Sequence, residues 1–221
     1  SAAGFGFAPP PTITSFMPVN ATPGANVSIS GTGLDFVTGA TLGGVPVANI
    51  IPINSNNVVV VVGTGATGSV TVLTPGGTAS LAGFTFMPLP PVIDSISPGI
   101  AGPGMTVTIY GSYLGGATAV SFGGVPAASY MVVSPTQITA VVGAGGGSGA
   151  VSVTTPGGVS ILPGFTFVPA PVITSFSPTN APIGAMVTIL GSNFTGATQV
   201  RFGGATAASY IVVSSTQINA I

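Results

Sequence analysis

The chain has 221 residues, of which 1% are charged and 46% are hydrophobic, and its net charge is −1. Its 35 Gly and 21 Pro are typical of disorder, but disordered segments lack apolar side chains in this number, so the chain is expected to fold. One Arg and no Lys leave no basic surface to neutralise nucleic-acid phosphates. The longest aliphatic run, residues 58–62, is far shorter than the ~20 residues of a membrane-spanning helix.

The opening residues, SAAGFGF, match the segment SLAGFTF at residues 80–86. Beyond them, segments that begin at Pro11, Pro91 and Pro171 align without gaps at a spacing of 80 residues. A fixed period of this length indicates a tandem array of one structural unit. The predicted domains are a closing strand of a preceding repeat (1–8), two full repeats (9–87 and 88–168) and a third repeat lacking its last two strands (169–221).

Each unit has the sequence pattern of β-strands. The segments NVSIS, MTVTIY and MVTIL alternate between Ser or Thr and apolar residues, as strands with one buried face do. The apolar positions are Val27 and Ile29, Val107 and Ile109, and Val187 and Ile189. Gly or Pro interrupts every stretch long enough for a helix. The pattern predicts an all-β fold of antiparallel sandwiches, with six or seven short strands per repeat and about two and two-thirds repeats.

The repeated motifs resemble those of a known family. Each unit opens P-x-I-x-S-x-x-P and continues with V-x-I-x-G, and the two full units close with T-P-G-G and G-F-T-F. This combination resembles the IPT/TIG domain, over essentially the whole chain. The resemblance implies immunoglobulin-like sandwiches, and the low charge makes the tandem arrays of bacterial surface and secreted proteins a closer match than the DNA-binding members.

One segment imitates a nucleotide-binding motif. Gly63, Gly65 and Gly68 follow a predicted strand with the G-x-G-x-x-G spacing. A dinucleotide site needs a helix after these glycines and an acidic residue about 20 positions later. Here a strand pattern follows, and no acid occurs between Asp35 and Asp94. The segment is therefore predicted to be a hairpin loop.

Catalysis and metal binding have few candidate side chains. The chain has no His, Cys, Lys or Glu, so acid–base chemistry would depend on Tyr, Asp35 and Asp94. Neither Asp has a second carboxylate at an equivalent position, which argues against a carboxylate pair and against a calcium site. The prediction is a non-enzyme with no cofactor and no metal.

The proline-rich segments between units predict stiff linkers. The match of residues 1–8 to a closing strand leaves two alternatives open: the chain is a window of a longer array, or Phe5 and Phe7 insert into the incomplete third unit of another copy. Arg201, the single cation, lies between Val200 and Phe202, so alternation directs it toward solvent or a neighbouring subunit. Phe5, Phe7 and Arg201 are the predicted interface residues.

Two functions fit these features. The first is a non-catalytic structural subunit of an extracellular bacterial fibre, stalk or sheath, because an almost uncharged repeat protein does not repel its own copies. The alternative is a carbohydrate- or receptor-binding module of a larger cell-surface protein, for which Tyr113, Tyr130 and Tyr210 are the aromatic candidates. The expected partners are other copies of the chain or glycans, without nucleic acid.

Overall fold

A computed structural model describes residues 9–221, and this part of the chain forms strands and turns without a helix. None of its elements therefore provides a helix long and apolar enough to cross a bilayer. Phe5 and Phe7 lie outside the described residues. Two compact units are distinguished among the described residues, one comprising residues 9–91 with Thr155–Val159, the other Val92–Thr154 with Ser160–Ile221. The repeats are described one by one.

The first repeat is a sandwich of two sheets. Its strands are β1 (Thr12–Met17), β2 (Asn20–Ala21), β3 (Asn26–Thr32), β4 (Gly39–Leu42), β5 (Val45–Pro46), β6 (Asn49–Asn54), β7 (Asn57–Val61), β8 (Gly68–Thr74) and β9 (Gly77–Phe86). One sheet has the order β1-β3-β7-β6 and the other β2-β9-β8-β4-β5. All neighbours are antiparallel except β2 and β9, which run parallel.

The core of this repeat lies between the two sheets. Val27 and Ile29 of β3 are fully buried, while Ser28 between them is exposed. Phe84 of β9 supplies the largest buried side chain, and its ring meets that of Phe16 edge to face at 6.4 Å. Each such side chain contributes about 1.5–3 kcal/mol by leaving water. The predicted alternation thus forms the core, and the all-β prediction is confirmed.

The second repeat has the same nine strands in the same order. They are β10 (Val92–Ser97), β11 (Ile100–Ala101), β12 (Thr106–Ser112), β13 (Ala119–Phe122), β14 (Val125–Pro126), β15 (Ser129–Ser134), β16 (Gln137–Val141), β17 (Gly149–Thr155) and β18 (Gly158–Phe167). The sheets are β10-β12-β16-β15 and β11-β18-β17-β13-β14. Phe122 and Phe165 pack across the core with ring centroids 4.8 Å apart. The count exceeds the predicted six or seven strands because each full repeat contains two strands of only two residues.

The third repeat has six strands, β19 (Val172–Ser177), β20 (Val187–Ser192), β21 (Arg201–Phe202), β22 (Ala205–Thr206), β23 (Tyr210–Ser214) and β24 (Gln217–Ala220). Four form the sheet β19-β20-β24-β23, and β21 pairs with β22. Within residues 9–221 nothing here corresponds to β17 and β18. A cavity of about 440 Å³ lies beside this sheet, lined by Phe176, Phe202 and Ile221 among others.

The glycine-rich segment after β7 is a loop with no helix after it, so the dinucleotide site is excluded. The hairpin prediction is wrong in one respect: β7 and β8 lie in different sheets, so the loop crosses from one sheet to the other. Gly65 has φ +41° and its backbone lies against the ring of Phe86, where a Cβ would collide. The glycine thus serves close packing.

Candidate binding site on the second repeat

The predicted interface residue Arg201 lies on the two-residue strand β21 and is exposed, so its direction toward solvent agrees with the alternation argument. At the equivalent position of repeat 2, the Ser121 hydroxyl bonds to that of Ser152 in β17, at 2.7 Å. The interface role of Arg201 stays a prediction.

The two acids do not form a site. Asp35 lies in the turn after β3 and Asp94 in β10, at the register shift between Ile93 and Ser95. Both side chains are exposed. Residues 9–221 contain no group of three or more His, Cys, Asp or Glu side chains that would hold a metal ion.

Two of the three predicted aromatic candidates have a structural role. The Tyr130 hydroxyl donates to the carbonyl of Ala117 at 3.3 Å, and the Tyr210 hydroxyl donates to the carbonyl of Ala197 at 3.0 Å. Tyr210 also packs against the core of its repeat. These equivalent tyrosines each tie an edge strand to the loop before a strand of another sheet, β13 or β21, so packing explains their recurrence.

Tyr110, which the sequence analysis did not select, stands on the outer face of the sheet in repeat 2. It lies in β12, where Val107 and Ile109 point into the core, and it is 43% exposed. Register places Tyr110 between Ser95 of β10 and Gln137 of β16. The signal was available in the sequence, because Tyr110 follows Ile109 and so occupies a position of the Ser/Thr face.

Tyr113 is also exposed, at 51%, and adopts a left-handed backbone conformation with φ +58°. The equivalent residues are Gly33 (φ +64°) and Asn193 (φ +61°), the types that accept this conformation most readily. A bulky residue here carries a strain of about 1–2 kcal/mol. Such strain is found mainly at functional positions, which makes Tyr113 a candidate for ligand contact.

A polar turn lies against the backbone of these tyrosines. The N–H of Gly111 donates to the Thr136 carbonyl at 3.0 Å, and the N–H of Leu114 donates to the Pro135 carbonyl at 2.8 Å. The turn is ordered by the N–H of Thr136, which donates to the Ser134 hydroxyl at 3.2 Å. We call the resulting surface the tyrosine platform; its residues are Tyr110, Tyr113, Ser134, Thr136 and Gln137.

The other repeats lack this combination. Repeat 1 has Ser30, Gly33, Asn54, Asn56 and Asn57 at the equivalent positions, and repeat 3 has Leu190, Asn193, Ser214, Thr216 and Gln217. Their carboxamides are engaged: Asn57 accepts a bond from Ser30 at 2.9 Å, and Gln217 donates to Asn219 at 3.1 Å. The Gln137 carboxamide has no partner among residues 9–221 and is free to bond a ligand.

The chemistry of the tyrosine platform suits an uncharged polar ligand. Two aromatic rings offer faces with negative potential, which attract polarised C–H groups. Gln137 offers both donors and an acceptor. The hydroxyls of Ser134 and Thr136 bond each other at 3.1 Å, which leaves one hydroxyl proton of the pair for a ligand. The platform contains no charged side chain, so it offers no ion pair to a phosphate or carboxylate. A sugar ring, with C–H faces and a rim of hydroxyls, matches these groups.

Comparison with protein families gives one match. The model of the IPT/TIG domain matches residues 11–86, 91–167 and 171–221. These segments include every strand described above. No curated protein matches the chain.

Three solved structures are similar to parts of the chain. A crystal structure with xylogluco-oligosaccharide has 19% identity and a TM-score of 0.48, covering 96% of this chain and 54% of that one. SGBP-B from a xyloglucan utilization locus in Bacteroides uniformis has 18% identity and a TM-score of 0.37, covering 82% and 61%. The surface glycan-binding protein PbSGBP-B from Prevotella bryantii has 17% identity and a TM-score of 0.53, covering 73% and 42%. The chain thus spans less than two thirds of each of these proteins.

Proposed function

The chain belongs to the IPT/TIG domain family, and we propose that it is a non-catalytic binding protein of the bacterial cell surface whose second repeat binds a neutral glycan at the tyrosine platform. The observation that carries the proposal is the pair of exposed tyrosines in repeat 2, one of them in a left-handed conformation, beside a carboxamide with no partner among residues 9–221.

The backbone strain at Tyr113 favours a role in binding over a role in packing. If Tyr113 served stability alone, Gly or Asn would serve better, as the other two repeats show. Tyr110 likewise occupies the position of Ser30 in repeat 1, where the equivalent strand forms without an aromatic side chain. The rings therefore contribute something that the fold does not require, and stacking on a ligand is what exposed aromatic faces do best.

The solved structures support the proposal only by their fold. PbSGBP-B, a surface glycan-binding protein, is similar with a TM-score of 0.53, so a fold of this kind occurs in a glycan-binding protein. At 17% identity the likeness does not transfer a ligand. The choice of a glycan here depends on the five side chains of the tyrosine platform, none of which is charged. The nearest charge in sequence and register is the exposed Asp94, next to Ser95, which pairs with Tyr110. Assembly into a fibre, the first function expected from the sequence, is a separate property and stays a prediction.

Affinity electrophoresis in native gels tests the proposed site. Gels containing xyloglucan, mixed-linkage glucan or starch are run beside gels without polysaccharide, and at least one polysaccharide is expected to retard the wild-type chain. Tyr110→Ser, which introduces the residue of repeat 1, is expected to weaken binding about tenfold, because losing a stacked ring costs about 1–2 kcal/mol.

The matched control is Leu190→Ser, at the equivalent position of repeat 3, which should leave the mobility shift unchanged. Tyr130→Phe controls for loss of a structural tyrosine hydroxyl. If Tyr110→Ser migrates like the wild type in every gel, or if none of these neutral polysaccharides retards the wild type, the proposed site is wrong.

A further inference from the structure

The last strand of each four-stranded sheet is an open edge. β6, β15 and β23 each pair with one neighbour, β7, β16 and β24 respectively. Alternate residues on such a strand turn their N–H and C=O groups away from the sheet, where only water or another strand satisfies them. We call β6, β15 and β23 the outer edge strands.

These edges expose apolar side chains at recurring positions. The residues, with their exposed fractions, are Ile51 (39%) and Ile53 (56%) in β6, Met131 (62%) and Val133 (50%) in β15, and Ile211 (70%) and Val213 (53%) in β23. The first members of the three pairs are spaced by 80 residues, and so are the second members. The same outward surface thus recurs in all three repeats.

Three other edges of the full repeats, at β5, β14 and β10, are protected in ways that natural sheets use. The edges at β5 and β14 are two residues long and end in Pro46 and Pro126. The edge at β10 carries an exposed Asp94. Short strands, prolines and charges all discourage the addition of a further strand.

The outer edge strands differ among themselves in this protection. β6 contains Pro52, which removes one backbone donor from the edge. β15 and β23 have Val132 and Val212 there and no charged residue. A register shift recurs at the same place in all three strands, near Asn54, Ser134 and Ser214, and so does not distinguish them. Repeats 2 and 3 therefore present edges with neither a proline nor a charge, whereas the edge of repeat 1 is interrupted by Pro52.

We propose that β15 and β23 are self-association surfaces, at which two copies of the chain pair edge to edge as antiparallel strands. Another copy fits such an edge because an antiparallel pair of identical strands is self-complementary about a two-fold axis. With a net charge of −1, the copies approach without strong repulsion. Met131 of one copy then meets aliphatic side chains of the other, a favourable cross-strand contact.

Two such edges in one chain have a further consequence. A single two-fold contact closes into a dimer, whereas two different two-fold contacts on one chain build species larger than a dimer, either closed tetramers or longer assemblies. The proposal therefore gives dimers when one edge is blocked and larger species when both are free. It is tested separately from glycan binding, since Met131 and Ile211 lie outside the tyrosine platform, of which only Ser134 belongs to β15.

Sedimentation velocity of the 221-residue chain over a range of concentrations tests this. The wild type is expected to form dimers and larger species, and Met131→Lys is expected to form dimers only. The double variant Met131→Lys, Ile211→Lys is expected to be monomeric. Association through each blocked edge should be at least about tenfold weaker, because a lysine buried in the contact repels the same lysine of the other copy. The control is Ser97→Lys, in the same cross-strand row as Met131 but at the opposite edge of the sheet. It should associate like the wild type.

Cross-linking then locates the contact. The chain has no Cys, so an introduced cysteine can form a disulfide only with another copy. Oxidised Met131→Cys should give covalent dimers, and Ser97→Cys should not. Hydrogen exchange of each variant shows whether its sheets are intact. A monomeric wild type at the highest soluble concentration, equal association of Met131→Lys and Ser97→Lys, or pairing only with strands of other proteins would overturn the proposal.

Discussion

Repeats 2 and 3 follow the same sequence pattern but bury it differently. Phe122 is 1% exposed, whereas Phe202, 80 positions later, is 36% exposed. Ile93 is 7% exposed and its counterpart Ile173 is 61% exposed. In both repeats the first sheet has four strands in the same order, so this sheet does not explain the difference in exposure. The facing sheet explains it, because that sheet has five strands in repeat 2 and two in repeat 3.

The comparison shows that burial in this protein depends on the opposite sheet. Phe165 of β18 packs on Phe122, and no described residue takes its place beside Phe202. A local strand pattern is sufficient to pair strands within a sheet, because backbone hydrogen bonds do not depend on the facing layer. The same pattern is insufficient to bury a side chain, because burial requires a second sheet packed on the first.

The largest predicted effect concerns this core. Phe122→Ala should destabilise repeat 2 by about 3–5 kcal/mol, since it removes a buried ring and leaves a cavity. Phe202→Ala should cost repeat 3 only about 1 kcal/mol, because its ring is already partly in water. Hydrogen exchange resolved by peptide reports each repeat separately. Equal losses of hydrogen-exchange protection in β13 and β21 would contradict the proposed difference in burial between the two repeats.

A smaller effect, of opposite sign, is expected at Tyr113. Tyr113→Asn should stabilise repeat 2 by about 1 kcal/mol, because Asn accepts positive φ with less strain, while glycan affinity falls severalfold. The reciprocal change Asn193→Tyr should destabilise repeat 3, since it also removes the 3.0 Å bond from the side chain to the Ala170 carbonyl. Hydrogen exchange and affinity electrophoresis measure the two quantities. A loss of stability in Tyr113→Asn would show that the ring serves packing.

The smallest effects are expected at the structural tyrosines. Tyr210→Phe should cost about 1 kcal/mol, because it removes a 3.0 Å hydrogen bond from a half-buried hydroxyl. Tyr130→Phe should cost less, since its bond is 3.3 Å and its side chain is more exposed. Exchange rates in β23 and β15 measure both, and the reverse order would contradict the packing argument.

Part of the candidate site was predictable. Alternation along β12 places Tyr110 on the outer face once Val107 and Ile109 are assigned to the core. The residues predicted from the sequence were instead Tyr113, Tyr130 and Tyr210, and the hydroxyls of the last two hold loops. The left-handed position of Tyr113 was suggested by Gly33 and Asn193 at equivalent places. The approach of the turn at Thr136 was not predictable, because it depends on how β12, β15 and β16 align.

The sequence alone determined the repeat, the strand periodicity, the family and the scarcity of charge, since each is a local or compositional property. It also determined which face of each strand is apolar. The tertiary structure decided which apolar residues leave water, because that requires a second sheet at the right distance. It also decided that the glycine-rich loop crosses between sheets, and that one repeat brings two tyrosines beside a polar turn, because both depend on contacts between residues distant in the chain.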